Sequence, residues 1–340
     1  MMIHFRNDYS DIAHPTILKR FVELQNETHL GYGMDTHVER AKACLKQAIG
    51  FDGYIHLMTG GTSANKTVIA HLLKPYEAVI SADTGHIEVH ETGAVEATGH
   101  KIISVPTEDG KLTPSMIKSV YQRHSDEHMV KPRMVYISNA TETGQIYTKQ
   151  ELKSLYIMCQ SLGLYLYLDG ARLGVALTSK PNDLTLHDIA LYTDLFYIGG
   201  TKNGALLGEA VVMKDPKMDE FFRYSIKQQG GLLAKGFVAG IQFEVLFENQ
   251  LFFEIGQQAN HMAEILVHEL HGLGLDFKET PTNQQFITLP THVVDALLKN
   301  YTFEIWHDYG NTKTIRLVTT YRTTQDEIKH LVRDINHLMM

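Results

Sequence analysis

LFYIGGTKNGALLGEAVVM, residues 195–213, decides the fold. An apolar run enters a Gly-Gly turn, one lysine follows, and a second apolar run closes the segment. LFYIGG (195–200) and EAVVM (209–213) both have strand composition, and only eight residues separate them. A parallel crossover needs a dozen residues or more, so the spacing predicts an antiparallel hairpin with Lys202 in its connection. A lysine between two buried strands costs desolvation free energy unless the site needs its amine.

Upstream, further short apolar runs are bounded by Gly, Pro, Asn or Asp: YIHLMTG (54–60), EAVISAD (77–83), HKIISVP (100–106), RMVYISNA (133–140) and LYLYLDG (164–170). Helical patterns lie between them. SANKTVIAHLLK (63–74) opens on Ser63 as a cap candidate. TPSMIKSVYQRH (113–124) opens on Thr113 followed by Pro114. TKQELKSLYIMCQSLG (148–163) has the Thr148/Glu151 spacing of a capping box and stops at Gly163. The alternation predicts an α/β fold, a mainly parallel seven-stranded sheet with helices on both faces. After Met213 the pattern changes. Residues 215–273 read as largely helical, with GFVAGIQFEVLFENQLFFEIG (236–256) as one long helix. From 275 onward, FITLP (286–290), TFEIW (302–306) and TIRLVT (314–319) mix with helical THVVDALLKN (291–300) and TTQDEIKHLVRDINHLMM (323–340), a smaller C-terminal α+β domain. The expected division is an N-terminal arm, 1–20, a large domain, 21–245, and a small domain, 246–340.

The 340 residues are 44% hydrophobic and 21% charged, enough for a large core, and the net charge of −8 argues against nucleic acid or an anionic membrane as partner. Cys44 and Cys159 form no framework and fit a reducing compartment. No run approaches the roughly 18 apolar residues of a membrane span, and MMIHFRNDYSD is too polar for a signal peptide. The expectation is a soluble, cytoplasmic protein.

In such a sheet, ligands bind beyond the carboxyl ends of the strands. TGGTSAN (59–65) follows one strand end and offers Gly60, Gly61 and Thr62 at a helix start, suited to a phosphate. Asp169 ends a strongly apolar strand, with Arg172 three residues on. Lys202 joins them at the same sheet edge. A phosphate cradle, a carboxylate and an amine are what pyridoxal 5'-phosphate requires. Neither GxGxxG nor a P-loop pattern occurs. His86 and His90, at i and i+4 in HIEVHETGA, could share a metal on a helix, but HExxH is absent and no third ligand is evident. A non-catalytic binding protein of the same fold is the remaining alternative.

In order along nearly the whole chain, FRNDYS (5–10), GYGMD (31–35), TGGTSAN, ADTGHIEVHETGA (82–94), LDGARLG (168–174), GGTKNG (199–204) and IRLVT (315–319) resemble the L-threonine aldolases, of the β-eliminating lyase group. The resemblance implies the aspartate-aminotransferase-like fold type I of pyridoxal-phosphate enzymes. It also implies retro-aldol cleavage of threonine, allo-threonine and related β-hydroxy-α-amino acids to glycine and an aldehyde. β-Elimination from another amino acid is the alternative on the same residues. By resemblance, Lys202 carries the cofactor and Thr201 reaches its phosphate. Gly61 and Thr62 bind the phosphate beside Gly60, where the family often has Ser. Asp169 meets the pyridine nitrogen and His86 stacks on the ring. Arg172 and Arg316 hold the substrate carboxylate, with Asn7 where Ser is common. Tyr32 and Lys235 reach toward a neighbouring subunit in a homodimer or homotetramer whose active sites lie near the interface. The family's second histidine is missing from NATETGQIY (139–147), where Thr141 or Glu142 stands. His90 takes a position where an aromatic is frequent, and is the candidate to replace that histidine.

Overall fold

The computed structural model describes residues 2–275 and 277–340. Its strands, in chain order, are β1 (Ile3–His4), β2 (Tyr54–Met58), β3 (Glu77–Ala82), β4 (Lys101–Val105), β5 (Lys131–Ser138), β6 (Tyr165–Asp169), β7 (Leu195–Gly199), β8 (Glu209–Met213), β9 (Gln284–Pro290), β10 (Tyr301–Thr302), β11 (Glu304–Asp308) and β12 (Thr312–Val318). The seven-stranded sheet has the order β2-β8-β7-β6-β5-β3-β4. Its neighbours are parallel except where β8 pairs antiparallel with β7 and β2. The hairpin expected at 195–213 is present, with Gly199 opposite Glu209 at its closed end.

Strand periodicity splits this sheet between two cores. Val135, Ile137, Leu166, Leu168, Phe196 and Ile198 face one core. Met134, Tyr136, Tyr167, Leu195 and Tyr197 face the other. The first is covered by helices that include Thr36–Ile49, Pro114–Arg123 and Lys149–Leu162, the second by Gly61–Leu72 and Phe222–Gln228. Burial on both faces explains the near-continuous apolar strands. Thr113 caps its helix ahead of Pro114, and Thr148 and Glu151 form the expected capping box, closed by Gly163 in the left-handed region.

A second sheet, in the order β11-β12-β9, packs with helices Leu251–Gly272, Thr291–Leu297 and Gln325–Met339 around a third core. The N-terminus belongs to this part of the molecule. β1 pairs parallel with β10, and Phe5 is fully buried in the third core.

Two local expectations fail. The helix expected over 236–256 is two helices, Phe237–Glu248 and Leu251–Gly272. Gln250 sits at φ +64 and turns the chain between them. Asn249 has modest helix-forming tendency, and the corner buries a cluster in which Phe252 stacks on Phe247 at 4.8 Å and meets Phe253 edge-on at 5.3 Å. Ser63 is not a cap, because its helix starts earlier, at Gly61, with Gly60 as N-cap and no side-chain cap bond. No helix among the described residues is long and apolar enough to cross a membrane.

Candidate active site

Strand ends β5, β6 and β7 build the floor of the site. Tyr136, Tyr167, Tyr197 and Asp169 share one face of the sheet, because each occupies the same phase of the strand alternation. Asp169 is buried and surrounded by donors. Tyr136 Oη donates to Oδ2. Tyr197 Oη and the Ala171 amide donate to Oδ1 at 2.5 and 2.9 Å, and Asn65 Nδ2 reaches Oδ2 at 3.3 Å. Burial and the adjacent Asp169 push the Tyr136 and Tyr197 hydroxyls well above their usual pKa, so they stay protonated and donate. Tyr167 Oη donates to Asn65 Oδ1 at 2.8 Å. Asn65 in turn donates to Glu91 at 2.7 Å, and Glu91 accepts from His86 Nδ1 at 2.9 Å. One hydrogen-bonded chain thus runs from the tyrosine floor to the His86 ring. The main-chain amide of His86 donates to Glu142 Oε1 at 3.1 Å. Burial and nearby Asp169 raise the Glu142 carboxyl.

The segment after Asp169 and the Gly-Gly turn after β7 meet backbone to backbone. The Gly199 amide donates to Gly170 O at 2.9 Å. A Cβ on Gly170 would stand 2.0 Å from Tyr197 O, and one on Gly199 would stand 2.5 Å from Ala171 O. This close approach requires glycine on both sides and delivers Asp169 and Lys202 to one place. The Lys202 amine makes no hydrogen bond or ion pair with the described residues, and its nearest aromatic contact is Tyr9, 5.9 Å to the centroid. Burial, then the Arg172 guanidinium, lowers its pKa and enlarges the neutral, nucleophilic fraction. Beside it, Thr201 Oγ1 accepts from the Gly208 amide at 3.0 Å and Glu209 accepts from the Gly200 amide at 3.0 Å.

Helix Gly61–Leu72 points its start at the same place. Its first intrahelical bond runs from Ala64 N to Gly60 O, so the amides of Gly61, Thr62 and Ser63 precede the ladder. With no side-chain cap there, they suit an anion.

One open cleft is lined by Gly60, Gly61, Thr62, His86, His90, Arg172, Thr201, Lys202 and Arg316, together with Tyr9, Tyr197, Glu142, Glu209 and Glu304. Asp169 lies just beneath it. Asn7 is not in the lining. Its side chain accepts from Tyr9 N at 3.0 Å and Ser10 Oγ at 2.8 Å, and its neighbour Asp8 is buried behind the lining. Asp8 takes Arg172 through Nε and Nη2 at 2.8 and 3.0 Å. The sequence reading missed Asp8, Glu91, Glu209, Glu304 and the tyrosine floor. A signal for the floor was present. RMVYIS, LYLYLD and LFYIGG each place a tyrosine in the phase of Asp169.

The donor set fits pyridoxal phosphate: uncapped helix amides for a phosphate, a donor-ringed carboxylate beneath the cleft, and an unpartnered amine beside both. It fits a metal poorly. His86 and His90 have no third ligand-capable side chain grouped with them among the described residues. Glu27, His29 and His37 bring ligand-capable atoms within 4.8 Å of one another. None of them lines the cleft, and His37 Nδ1 is held by Glu244 at 2.7 Å with Arg40 beside it.

The sequence model of the β-eliminating lyases matches residues 10–291. The chain belongs to that family. Within the β-eliminating lyases it is 32% identical to the low specificity L-threonine aldolase of a Pseudomonas species, over 94% of this chain and 93% of the relative. The threonine aldolase of Leishmania major superposes with a TM-score of 0.97 at 42% identity, covering 99% of this chain and 100% of that one. An aspartate aminotransferase of Thermus thermophilus shares the fold alone, with a TM-score of 0.75 at 14% identity. The expected fold type is therefore the observed one.

Proposed function

We propose that the chain is a pyridoxal-phosphate-dependent aldehyde-lyase that cleaves L-threonine, L-allo-threonine and related β-hydroxy-α-amino acids to glycine and an aldehyde. The carrying observation is the unpartnered Lys202 amine, set in one cleft with a helix-amide cradle and two guanidinium groups, with buried Asp169 beneath. The named activity of the aldolases that match over nearly the full chain supports the choice of reaction.

Gly61 and Thr62, with Gly60 and Thr201, would hold the phosphate. Lys202 would anchor the cofactor, Asp169 would face its pyridine nitrogen and His86 would cover the ring. When bound, the cofactor supplies an electron sink for the pair released as the Cα–Cβ bond breaks. The protein's own part is orientation and proton transfer. Arg316, with the Nη1 of Arg172 that Asp8 leaves free, would hold an amino-acid carboxylate and so set the direction of the bonds at Cα. The β-hydroxyl must lose a proton. His90 is the candidate acceptor, because burial, then the neighbouring His86, lowers its pKa and keeps the ring neutral near pH 7. Cleavage of threonine then yields acetaldehyde and, after a proton returns to Cα, glycine.

We also propose assembly into a homodimer or homotetramer with active sites near the interface. Support comes from Leu30 and Met34, each 69% exposed, and from half-exposed Tyr32 between them. For the division into an arm (1–20), a large domain (21–245) and a small domain (246–340), support comes from the third core, which gathers side chains from Met262 onward with Phe5 of the arm, although Phe252 and Ile255 pack in the first core.

The test is direct. Purified protein given pyridoxal phosphate is expected to show the yellow visible band of a lysine-bound pyridoxal, and Lys202→Ala to lose it. Threonine is expected to yield equal amounts of glycine and acetaldehyde. Ammonia and a 2-oxo acid in their place would replace this reading with β-elimination.

A further inference from the structure

The two guanidinium groups of the cleft are held in different ways. Arg172 and Asp8 are joined at two points, their side chains only 8% and 4% exposed. Asn283 donates to the same carboxylate at 3.2 Å. That pair is closed. Arg316 lies on β12, directly opposite Glu304 on β11, and cross-strand partners project from the same face. Glu304 Oε2 pairs with Arg316 Nη2 alone. Arg316 Nη1 donates to Gln284 Oε1 at 3.2 Å, and the guanidinium lies over the Trp306 ring, 5.2 Å from its centroid. Arg316 is thus positioned from two other sides. Its Nε is buried and has no partner among the described residues. The Arg316 side chain is 10% exposed, that of Glu304 37%.

We infer that Glu304 is a specificity-determining residue, an exchangeable counter-ion that holds Arg316 until the α-carboxylate of an amino acid replaces it. The inference rests on the reading of Arg316 as a holder of the substrate carboxylate. Glu304 satisfies one N–H of a fork that offers more. A carboxylate arriving side-on takes Nη2 and the orphan Nε together, and the bidentate pair gains the hydrogen bond that Glu304 leaves unmade. Glu304, more than a third exposed, can turn to solvent. Displaced, it stays at the cleft mouth as a negative charge beside His90, whose proton affinity already registers it. It therefore opposes amino acids with anionic side chains, and a neutral β-hydroxy substrate such as threonine is favoured over 3-hydroxyaspartate.

The experiment uses the full-length holoenzyme with Glu304→Gln and, separately, Arg316→Lys. Three quantities are read: KM and kcat for threonine, calorimetric affinity for glycine, and the ratio of kcat/KM for threonine to that for 3-hydroxyaspartate. For Glu304→Gln, KM for threonine and Kd for glycine are expected to fall together by about threefold to tenfold, with kcat changing far less. The preference against 3-hydroxyaspartate is expected to shrink by a similar factor. Unchanged affinity would overturn the inference. So would a rise in KM, which would make Glu304 a positioning residue for Arg316. Arg316→Lys separates the two levels. If it leaves KM and glycine affinity untouched, the reading of Arg316 itself fails. If it weakens both while Glu304→Gln does nothing, only the exchange is lost.

Discussion

Asp169 gathers more of the site's interactions than any other residue of the floor, yet it never reaches the open cleft. Its place is set by hydroxyls from three neighbouring strands, two bonded to it directly and one through Asn65. Tyr197→Phe deletes one of these donors with almost no change in volume. Loss of one hydrogen bond to a buried charged group is expected to cost about 1.5–3 kcal/mol, read as a lower denaturant midpoint and weaker retention of pyridoxal phosphate on dialysis. Glu209 makes a second residue-level prediction. Burial raises its carboxyl from 4.5 to about 8. Between those values the folded chain holds a proton that the unfolded chain releases, so stability falls as pH rises through that window. Glu209→Gln keeps an acceptor for the Gly200 amide and removes the titration. Between about pH 6 and about pH 9 the wild type is expected to lose more of its melting temperature than the variant; parallel loss in both would refute this. Much of the residue scale was legible, since Lys202, Asp169 and the glycine cradle stand at strand ends. Asp8 was not. It lies in a short polar segment with no periodicity, and only the folded chain carries it across to Arg172, 164 positions away.

At the scale of elements, the seam between the β6 end and the hairpin turn explains why LDGA and IGGT carry their glycines. Gly199→Ala places a Cβ 2.5 Å from the Ala171 carbonyl, which belongs to backbone and cannot turn aside. Overpacking of that kind costs about 1–3 kcal/mol. The expected result is a lower melting temperature together with slower reaction of Lys202 with added pyridoxal phosphate, followed by its visible band. Gly272→Ala is the control, because a Cβ there meets nothing within 4 Å and the residue lies outside the cleft. The strands and capped helices were legible because each has its own punctuation. The break at Asn249–Gln250 was not, since the polar stretch 248–250 is short, carries no Gly or Pro and lies between two apolar runs, and tertiary packing of the phenylalanines chooses the corner. The start of helix Gly61–Leu72 was misread for a related reason. Ser63 looks like a cap, while the bare glycine ahead of it leaves the amides free.

At the scale of the whole molecule, the first 34 residues carry a burden the rest of the fold does not relieve. The start of the chain pairs β1 with β10 and buries Phe5 in the third core, while helix Pro15–Glu23 buries Ile17 in the first core. The outer side of the same stretch stays apolar. Leu18 and Val22 are one helical turn apart and both exposed, and Ile12, Leu30 and Met34 are each 69% exposed. An apolar stripe of sequence such as this is costly to leave in water and suits a surface that another molecule covers. A second copy of the chain fits the oligomer proposed above, because the stripe includes Tyr32 in the GYGMD loop and runs back to Tyr9, which lines the cleft. A charge placed on the stripe should then act on assembly and activity together. Leu30→Asp with Met34→Asp is expected to shift the sedimentation of the holoenzyme toward the monomer at low concentration, with threonine cleavage falling as the protein is diluted. The single-chain fold, followed by circular dichroism, should be nearly unchanged, since neither side chain contributes to a core. A variant that sediments as the wild type does while keeping full activity would place the interface elsewhere and leave the stripe for a different partner.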